Sequence, residues 1–333
     1  SITDRPWLRK HNPPEMEQSL FKQLYWQALI LKKELKKKSV DILFTTDATT
    51  LTRFERMVVM SQDMLSYEPG IMQYFGFSSA RLRLIAILYI QNMAMRFSKG
   101  VIFLTAYASK MIQLKTGKLE NTVIIPHGVG NKFKNISFHP RPVLNDGSLI
   151  RCIYVSNTEM YKHQWHVVRA IWQLRQYGYN IEISFIGGGT GKSRQLLDNV
   201  IKELDPNKKF VQMIEFLAPE EMPHYIAAAD ISVFASSCEN LPVTLLESMA
   251  IGIPIACSDR GPMPEVLKDA GVYFDPESPE SIAGALKKMI QNNTMRINIA
   301  QKSKEIAIEY SWAKCSEKTW QYLADILKKI NSK

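Results

Sequence analysis

Apolar positions along the chain follow two periods. From about residue 15 to 38, Phe21, Leu24, Ala28, Leu31 and Leu35 recur at steps of three and four. That spacing predicts an amphipathic helix, closed by Lys36, Lys37 and Lys38, cations suited to a helix C-terminus. Strand-length apolar runs follow at 41–45, 57–61, 100–104 and 122–125, separated by helix-length segments such as 79–98. Residues 135–148, with two prolines, one glycine and little periodicity, read as a linker. The alternation then restarts with runs at 149–155, 181–186, 210–214, 230–235, 253–257 and 271–274, and from Ser278 onward the pattern is helical. Strands alternating with helices imply parallel sheets covered on both faces. The expected fold is therefore α/β, with two tandem doubly wound, Rossmann-like domains facing across a cleft, where ligands bind at the carboxyl ends of strands. The expected division is 1–140, 148–312, and a last helix at 313–333 able to pack back on the first domain. With only four strand-like runs and an opening helix, the first domain reads as lacking an N-terminal strand, turn and helix.

Charge changes this picture in one respect. The 333 residues carry a formal net charge of +10, and all of that excess lies in residues 1–150, while residues 151–333 balance. Such asymmetry suits a polyanionic partner for the first part: a nucleic acid, an anionic membrane surface or a phosphorylated substrate. No interleaved aromatic pattern of a single-strand binder accompanies the charge, so no nucleic-acid partner is expected. No apolar run approaches the ~18–20 residues of a membrane-spanning helix. Cys152, Cys238, Cys257 and Cys315 are scattered without a CxxC pair, which signals neither a disulfide framework nor a zinc site and suits a cytoplasmic setting.

The segment richest in chemistry begins at Ala229. A strand ending near Ala235 runs into the turn Ser236-Ser237-Cys238-Glu239-Asn240, and a helix is expected to start at Pro242, whose fixed φ suits a first helical position. The amides of Val243 and Thr244 would then be free to hold a phosphate. Glu239 precedes that helix start and Glu247 lies about one and a half turns inside it. Carboxylates so placed can accept hydrogen bonds from the vicinal hydroxyls of a sugar and a ribose. Three other leads fail. Gly187-Gly-Gly-Thr-Gly-Lys192-Ser193 is one residue short of a P-loop, with Ile186 where glycine is required. There is no Asp-x-Asp pair for a bridging metal, so no metal is expected, and no GxSxG elbow.

The run Glu239-Asn-Leu-Pro-Val-Thr-Leu-Leu-Glu247 resembles the E-x7-E signature of family-4-type retaining glycosyltransferases of the GT-B fold, the kind that build bacterial surface polysaccharides. Tyr225-Ile-Ala-Ala-Ala-Asp230, Ser248-Met-Ala-Ile-Gly-Ile-Pro254 and Gly261-Pro-Met-Pro-Glu265 extend the likeness. The resemblance implies a metal-independent hexosyl- or N-acetylhexosaminyltransferase with no cofactor, using a nucleotide-diphosphate sugar as donor. It implies that Glu239 contacts donor-sugar hydroxyls, Glu247 holds the ribose, and the backbone of Asn240, Leu241, Pro242, Val243 and Thr244 meets the diphosphate.

In Tyr154-Val-Ser156-Asn157-Thr-Glu-Met-Tyr-Lys162-His163, Lys162 matches the family's diphosphate-binding lysine, beside Ser156 and Asn157. Asn157 stands where arginine is usual. Ile125-Pro-His127-Gly128-Val129 resembles the family's interdomain turn. Ser61-Gln62-Asp63 resembles its strand-end His-Asp segment, with Gln62 replacing the histidine and Asp63 left as a candidate for acceptor or donor. The catalytic set implied is Glu239, Lys162 and Asp63, with no nucleophile assigned. A nucleotide-sugar 2-epimerase and a catalytically idle GT-B-like binding protein are the alternatives. The basic first domain, where Arg81, Arg83, Arg96 and Lys99 flank the apolar run Leu84 to Ile90, points to a lipid-linked or phosphorylated acceptor. It also points to a peripheral position on the inner face of the plasma membrane.

Overall fold

A computed structural model describes residues 5–332 except 137, 139, 142, 145 and 146. Among the described residues ten strands lie where the apolar runs fall: β1 Leu43–Thr45, β2 Met57–Met60, β3 Gly100–Phe103, β4 Thr122–Ile124, β5 Ile150–Val155, β6 Ile181–Ile186, β7 Val211–Ile214, β8 Ile231–Phe234, β9 Ile255–Ser258 and β10 Val272–Phe274. They form two all-parallel sheets, ordered β1-β2-β3-β4 and β10-β9-β8-β5-β6-β7. The second order doubles back between β5 and β8, so the crevice at their carboxyl ends is the topological switch point.

The period of two decides how the first sheet is covered. Val58, Met60, Ile102 and Leu104 face one way and join the large core that runs through the second sheet to Leu323 and Ile326 of the helix Trp312–Asn331. Met57, Val59, Val101 and Phe103 face the other way, packing with Met95, Ala108 and Ile112 of the helices Ser79–Phe97 and Ala106–Thr116. The C-terminal helix thus lies against the first sheet: Tyr322 hydrogen-bonds the Asn121 carbonyl, and Lys329 Nζ reaches Asn121 Oδ1 at 3.1 Å. Gly100 opens β3 beneath Tyr322, so close that any Cβ there would strike the phenol.

Two features depart from the apolar pattern. The opening helix is interrupted by a π turn at Trp26–Ile30, between Leu20–Tyr25 and Leu31–Lys37. Trp26, in that turn, is buried, while Phe21 and Ala28, expected on the inner stripe, are exposed and Leu24, Leu31 and Leu35 are half-buried. Thr52 Oγ1 donates to Gln27 O at 2.8 Å within that turn. In the helix Ser79–Phe97, Leu84 turns inward and Leu82, Tyr89 and Met93 turn outward. The solvent face is therefore a stripe along the whole helix rather than the run Leu84 to Ile90. No helix among the described residues is long and apolar enough to cross a membrane.

Candidate functional site

At the switch point, the loops after β5, β6 and β8 converge. Gly187, at φ +129°, follows β6 directly, and a Cβ there would sit 2.4 Å from Ser156 O. Only glycine lets the β6 turn pass so close to the β5 turn. Thr158 N donates to Gly188 O at 2.9 Å, and Ser193 Oγ donates to Thr158 O at 3.0 Å, which fixes the loop that carries Lys162. The near-miss P-loop is thus a scaffold for this turn.

Lys162 ends a 3-10 turn, Met160–Lys162, and its ammonium forms an ion pair with Glu239 Oε1 from the β8 loop. The side chains are only 10% and 16% exposed. The ammonium also lies 5.2 Å from the Tyr161 ring centroid and 5.9 Å from that of Phe234, two aromatic faces that favour a cation there. Residues 77 positions apart in sequence are thereby joined.

His163, which the motif reading passed over, holds this junction. Its backbone is left-handed (φ 53°, ψ 29°), a conformation that favours glycine. Its Nε2 lies 2.8 Å from Ser237 Oγ, which itself reaches Tyr161 O at 3.3 Å. With the hydroxyl donating to that carbonyl, the imidazole must be the donor at Nε2. Burial lowers the His163 pKa to about 4, helped by neighbouring His166, so the ring is neutral. The available signal was a Lys-His pair standing where Lys-Gly is usual.

The helix Val243–Ile251 starts one residue later than expected, with Pro242 as its N-cap (φ −77°, ψ 85°) and no capping side chain. Its first-turn amides keep no intrahelical partner. Val243 is exposed and Thr244 half-buried, while Leu241 and Pro242 are buried. Glu247 is half-buried on this helix, and burial pushes its carboxyl up to about 7 against the opposing pull of Lys132. Lys132, a second residue missed by motif reasoning, comes from the helix Asn131–Lys134 and donates to Pro219 O at 2.6 Å.

The β8 loop also meets the first unit. Asn240, buried, donates from Nδ2 to Ser61 O at 3.3 Å, and its carbonyl accepts from Thr105 Oγ1 at 3.0 Å. Thr105 uses the same hydroxyl to cap the helix Ala106–Thr116, accepting from Ala108 N at 3.0 Å. Glu265 completes the contact: its two oxygens accept from Ala106 N at 2.7 Å and Tyr107 N at 2.8 Å, a carboxylate on a helix N-terminus supplied across the cleft. Cys238 inserts among Met57, Met64 and Tyr67 of the first unit. All four cysteines are free and buried.

Asp63, at the end of β2, accepts from Leu65 N at 2.9 Å, and burial raises its pKa, with the charge of Asp47 adding to the effect. It lies two residues beyond Ser61, whose carbonyl accepts from Asn240 of the β8 loop. Gln62 turns away, donating to Thr46 O at 2.7 Å. Ser156 is buried, with its hydroxyl on Asn157 O at 2.9 Å, whereas Asn157 is exposed and its carbonyl accepts from Gln164 at 3.0 Å. His127 stacks on Trp312 at 5.1 Å between centroids, and burial lowers its pKa. A Cβ on Gly128 would lie 2.0 Å from Trp312 N. These two residues shape the place where the chain crosses back to the first unit. A concavity of about 840 Å3 lies along β6 and the edge strand β7, away from this cluster.

Two all-parallel α/β sheets meeting across a cleft, the second doubly wound and carrying this cluster at its switch point, define the GT-B architecture. Sucrose-phosphate synthase from Thermosynechococcus elongatus superposes with a TM-score of 0.75 at 17% identity, over 96% of this chain and 81% of that one. Anabaena HepE, solved in complex with UDP, gives 0.64 at 19% identity, over 81% and 72%. The family model for glycosyl transferases group 1 matches residues 137–306, half of the chain, and the protein belongs to that family. Among curated relatives, O-antigen chain mannosyltransferase B of Escherichia coli is 28% identical over 110 residues, 33% of this chain and 29% of that protein. D-inositol 3-phosphate glycosyltransferase of Corynebacterium urealyticum is 26% identical over 155 residues, 45% and 35%. The matched segments span about a third of the length of these relatives.

Proposed function

We propose that the protein is a retaining, family-4-type glycosyltransferase. It moves a hexosyl or N-acetylhexosaminyl unit from a nucleotide-diphosphate sugar to an acceptor hydroxyl, on a phosphorylated or lipid-linked saccharide in polysaccharide biosynthesis. The observation that carries this reading is the Lys162–Glu239 pair at the β5/β8 switch point, beside the uncapped start of the helix Val243–Ile251. When donor enters, Lys162 exchanges its carboxylate partner for the diphosphate, and the first-turn amides add their partial positive charge. Both stabilise the leaving group as charge builds on it, the kind of preorganised electrostatic effect that dominates such barriers. Glu239, released, accepts hydrogen bonds from the sugar hydroxyls, and Glu247 accepts from the ribose. The acceptor oxygen attacks from the face of the departing diphosphate, which takes the hydroxyl proton as the anomeric C–O bond to it breaks, so the configuration is retained without a protein nucleophile. Asp63, two residues beyond the Ser61 contact with the β8 loop, stands on the acceptor side. The charge needed at the diphosphate is supplied by Lys162 and the helix amides, so the reaction is written without metal or cofactor. The basic first unit suits an anionic membrane surface on the cytoplasmic side.

A mass-spectrometric screen of nucleotide sugars tests this. One donor should be bound and slowly hydrolysed by the protein and lost in Glu239→Ala. Absence of binding to every donor, or an epimerised sugar formed without acceptor, overturns the reading.

A further inference from the structure

Between Glu68 and Glu120 the chain has seven Lys or Arg and no Asp or Glu. The helix Ser79–Phe97 lies within this stretch and is packed on one side only, through Leu84, Gln91, Ala94 and Met95. On the other side Leu82, Tyr89 and Met93 are 70%, 65% and 57% exposed, with Phe97 beyond them. Steps of seven, four and four keep these residues on one stripe along the helix. Fully exposed Phe77 continues the stripe past the helix N-terminus, with the Arg81 guanidinium 5.7 Å from its ring centroid. There Phe77, Arg81, Leu82 and Ile85, with Ser78 and Ser79, line a groove of about 580 Å3. Three residues before Phe77, Tyr74 donates to Glu277 of the second unit at 3.1 Å, so the chain that leads into the groove also meets the second unit.

We infer that this face rests on an anionic lipid surface and that the groove receives the hydrocarbon chain of a lipid phosphate, its phosphate meeting Arg81. The inference rests on the acceptor side of the proposed reaction lying in the first unit. An apolar stripe edged by Arg83, Arg96 and Lys99, with no acid in reach along the chain, complements a bilayer of anionic head groups over apolar tails. A two-fold contact between copies would set this basic edge against itself.

The four native cysteines are buried, so Leu82→Cys in the full chain takes an environment-sensitive dye at one exposed site, with Tyr177→Cys on the second unit as control. Vesicles of phosphatidylcholine with 30% phosphatidylglycerol, without any nucleotide sugar, should blue-shift the dye at 82 and leave the dye at 177 unchanged. Pure phosphatidylcholine should shift neither, and 0.5 M salt should weaken the response at least threefold. The double variant Tyr89→Glu, Met93→Glu should lose at least tenfold in vesicle binding while hydrolysing nucleotide sugar as the parent does. A silent dye at 82, equal response to both vesicles, or a double variant that binds like the parent overturns the inference. So does a parent dimer, seen by light scattering, that the double variant dissolves. Vesicle binding and donor hydrolysis are read separately, so failure of the second sinks the proposed reaction and leaves the lipid face standing.

Discussion

Removing either member of the Lys162–Glu239 pair leaves a charge in a site that excludes most water. Lys162→Met strips Glu239 of its cation in surroundings that include the rings of Tyr161 and Phe234. Breaking a buried pair in this way costs about 3–5 kcal/mol. A carboxyl group can escape by taking up a proton, which at pH 7 costs about 3.7 kcal/mol for a group titrating near 4.3 in water, so the loss is bounded near that value. Glu239→Gln leaves the ammonium, with a similar loss. Changing both removes both charges together, and the double variant should be within about 1–2 kcal/mol of the parent. The coupling, the sum of the two single losses less the double loss, is then at least about 4 kcal/mol. At roughly 2–4 °C per kcal/mol for a domain of this size, each single variant should melt about 6–15 °C lower. The assay is thermal and urea unfolding of the four proteins without nucleotide. If the two single losses simply add, or if each is below about 1 kcal/mol, the pair is not the buried junction described.

Glu265→Ala deletes two charge-assisted bonds across the cleft, at 2.7 and 2.8 Å. At about 1.5–3 kcal/mol each, their loss should open the molecule, seen as a larger radius of gyration in small-angle scattering, and an unchanged profile refutes the latch. Gly128→Ala places a Cβ 2.0 Å from the Trp312 backbone, and overpacking against backbone should cost about 2 kcal/mol or more in urea unfolding. His163 has its pKa lowered from 6.5 to about 4, so the unfolded chain binds the extra proton first and stability drains as pH falls from 6.5 toward 4. His163→Asn, which tolerates the left-handed backbone, should flatten that loss. Glu247 acts in the opposite sense: its pKa is raised from 4.5 to about 7, so stability declines as pH rises through that window, and Glu247→Gln should abolish the decline. Because the two slopes oppose each other, each variant is compared with the parent at the same pH.

Local pattern carried the strands and much of the site. Each apolar run from Ile42 to Phe274 became a strand because a parallel sheet covered on both faces demands continuous burial, which periodicity records. The spacing of Glu239 and Glu247, the helix start beyond Pro242 and the lysine at 162 were equally legible, because each depends on neighbours within a few residues. The inner face of the opening helix was not fully so: Leu24, Leu31 and Leu35 are half-buried, but Phe21 and Ala28 are exposed, and Trp26 in the π turn Trp26–Ile30 takes the buried place. Nor was the outward stripe of Leu82, Tyr89 and Met93, because composition shows that a helix is apolar and not which side is left uncovered.

The sequence by itself determined two parallel α/β units, the places of Lys162, Glu239 and Glu247 on their loops and helix, and the half of the chain that carries the positive charge. Only the tertiary structure decided that Lys162 and Glu239 neutralise each other, that His163 braces the loop through Ser237, and that Glu265 caps a helix of the other unit. Those contacts join residues far apart in the chain, and their energies come from burial and from distances that exist only once both sheets have formed.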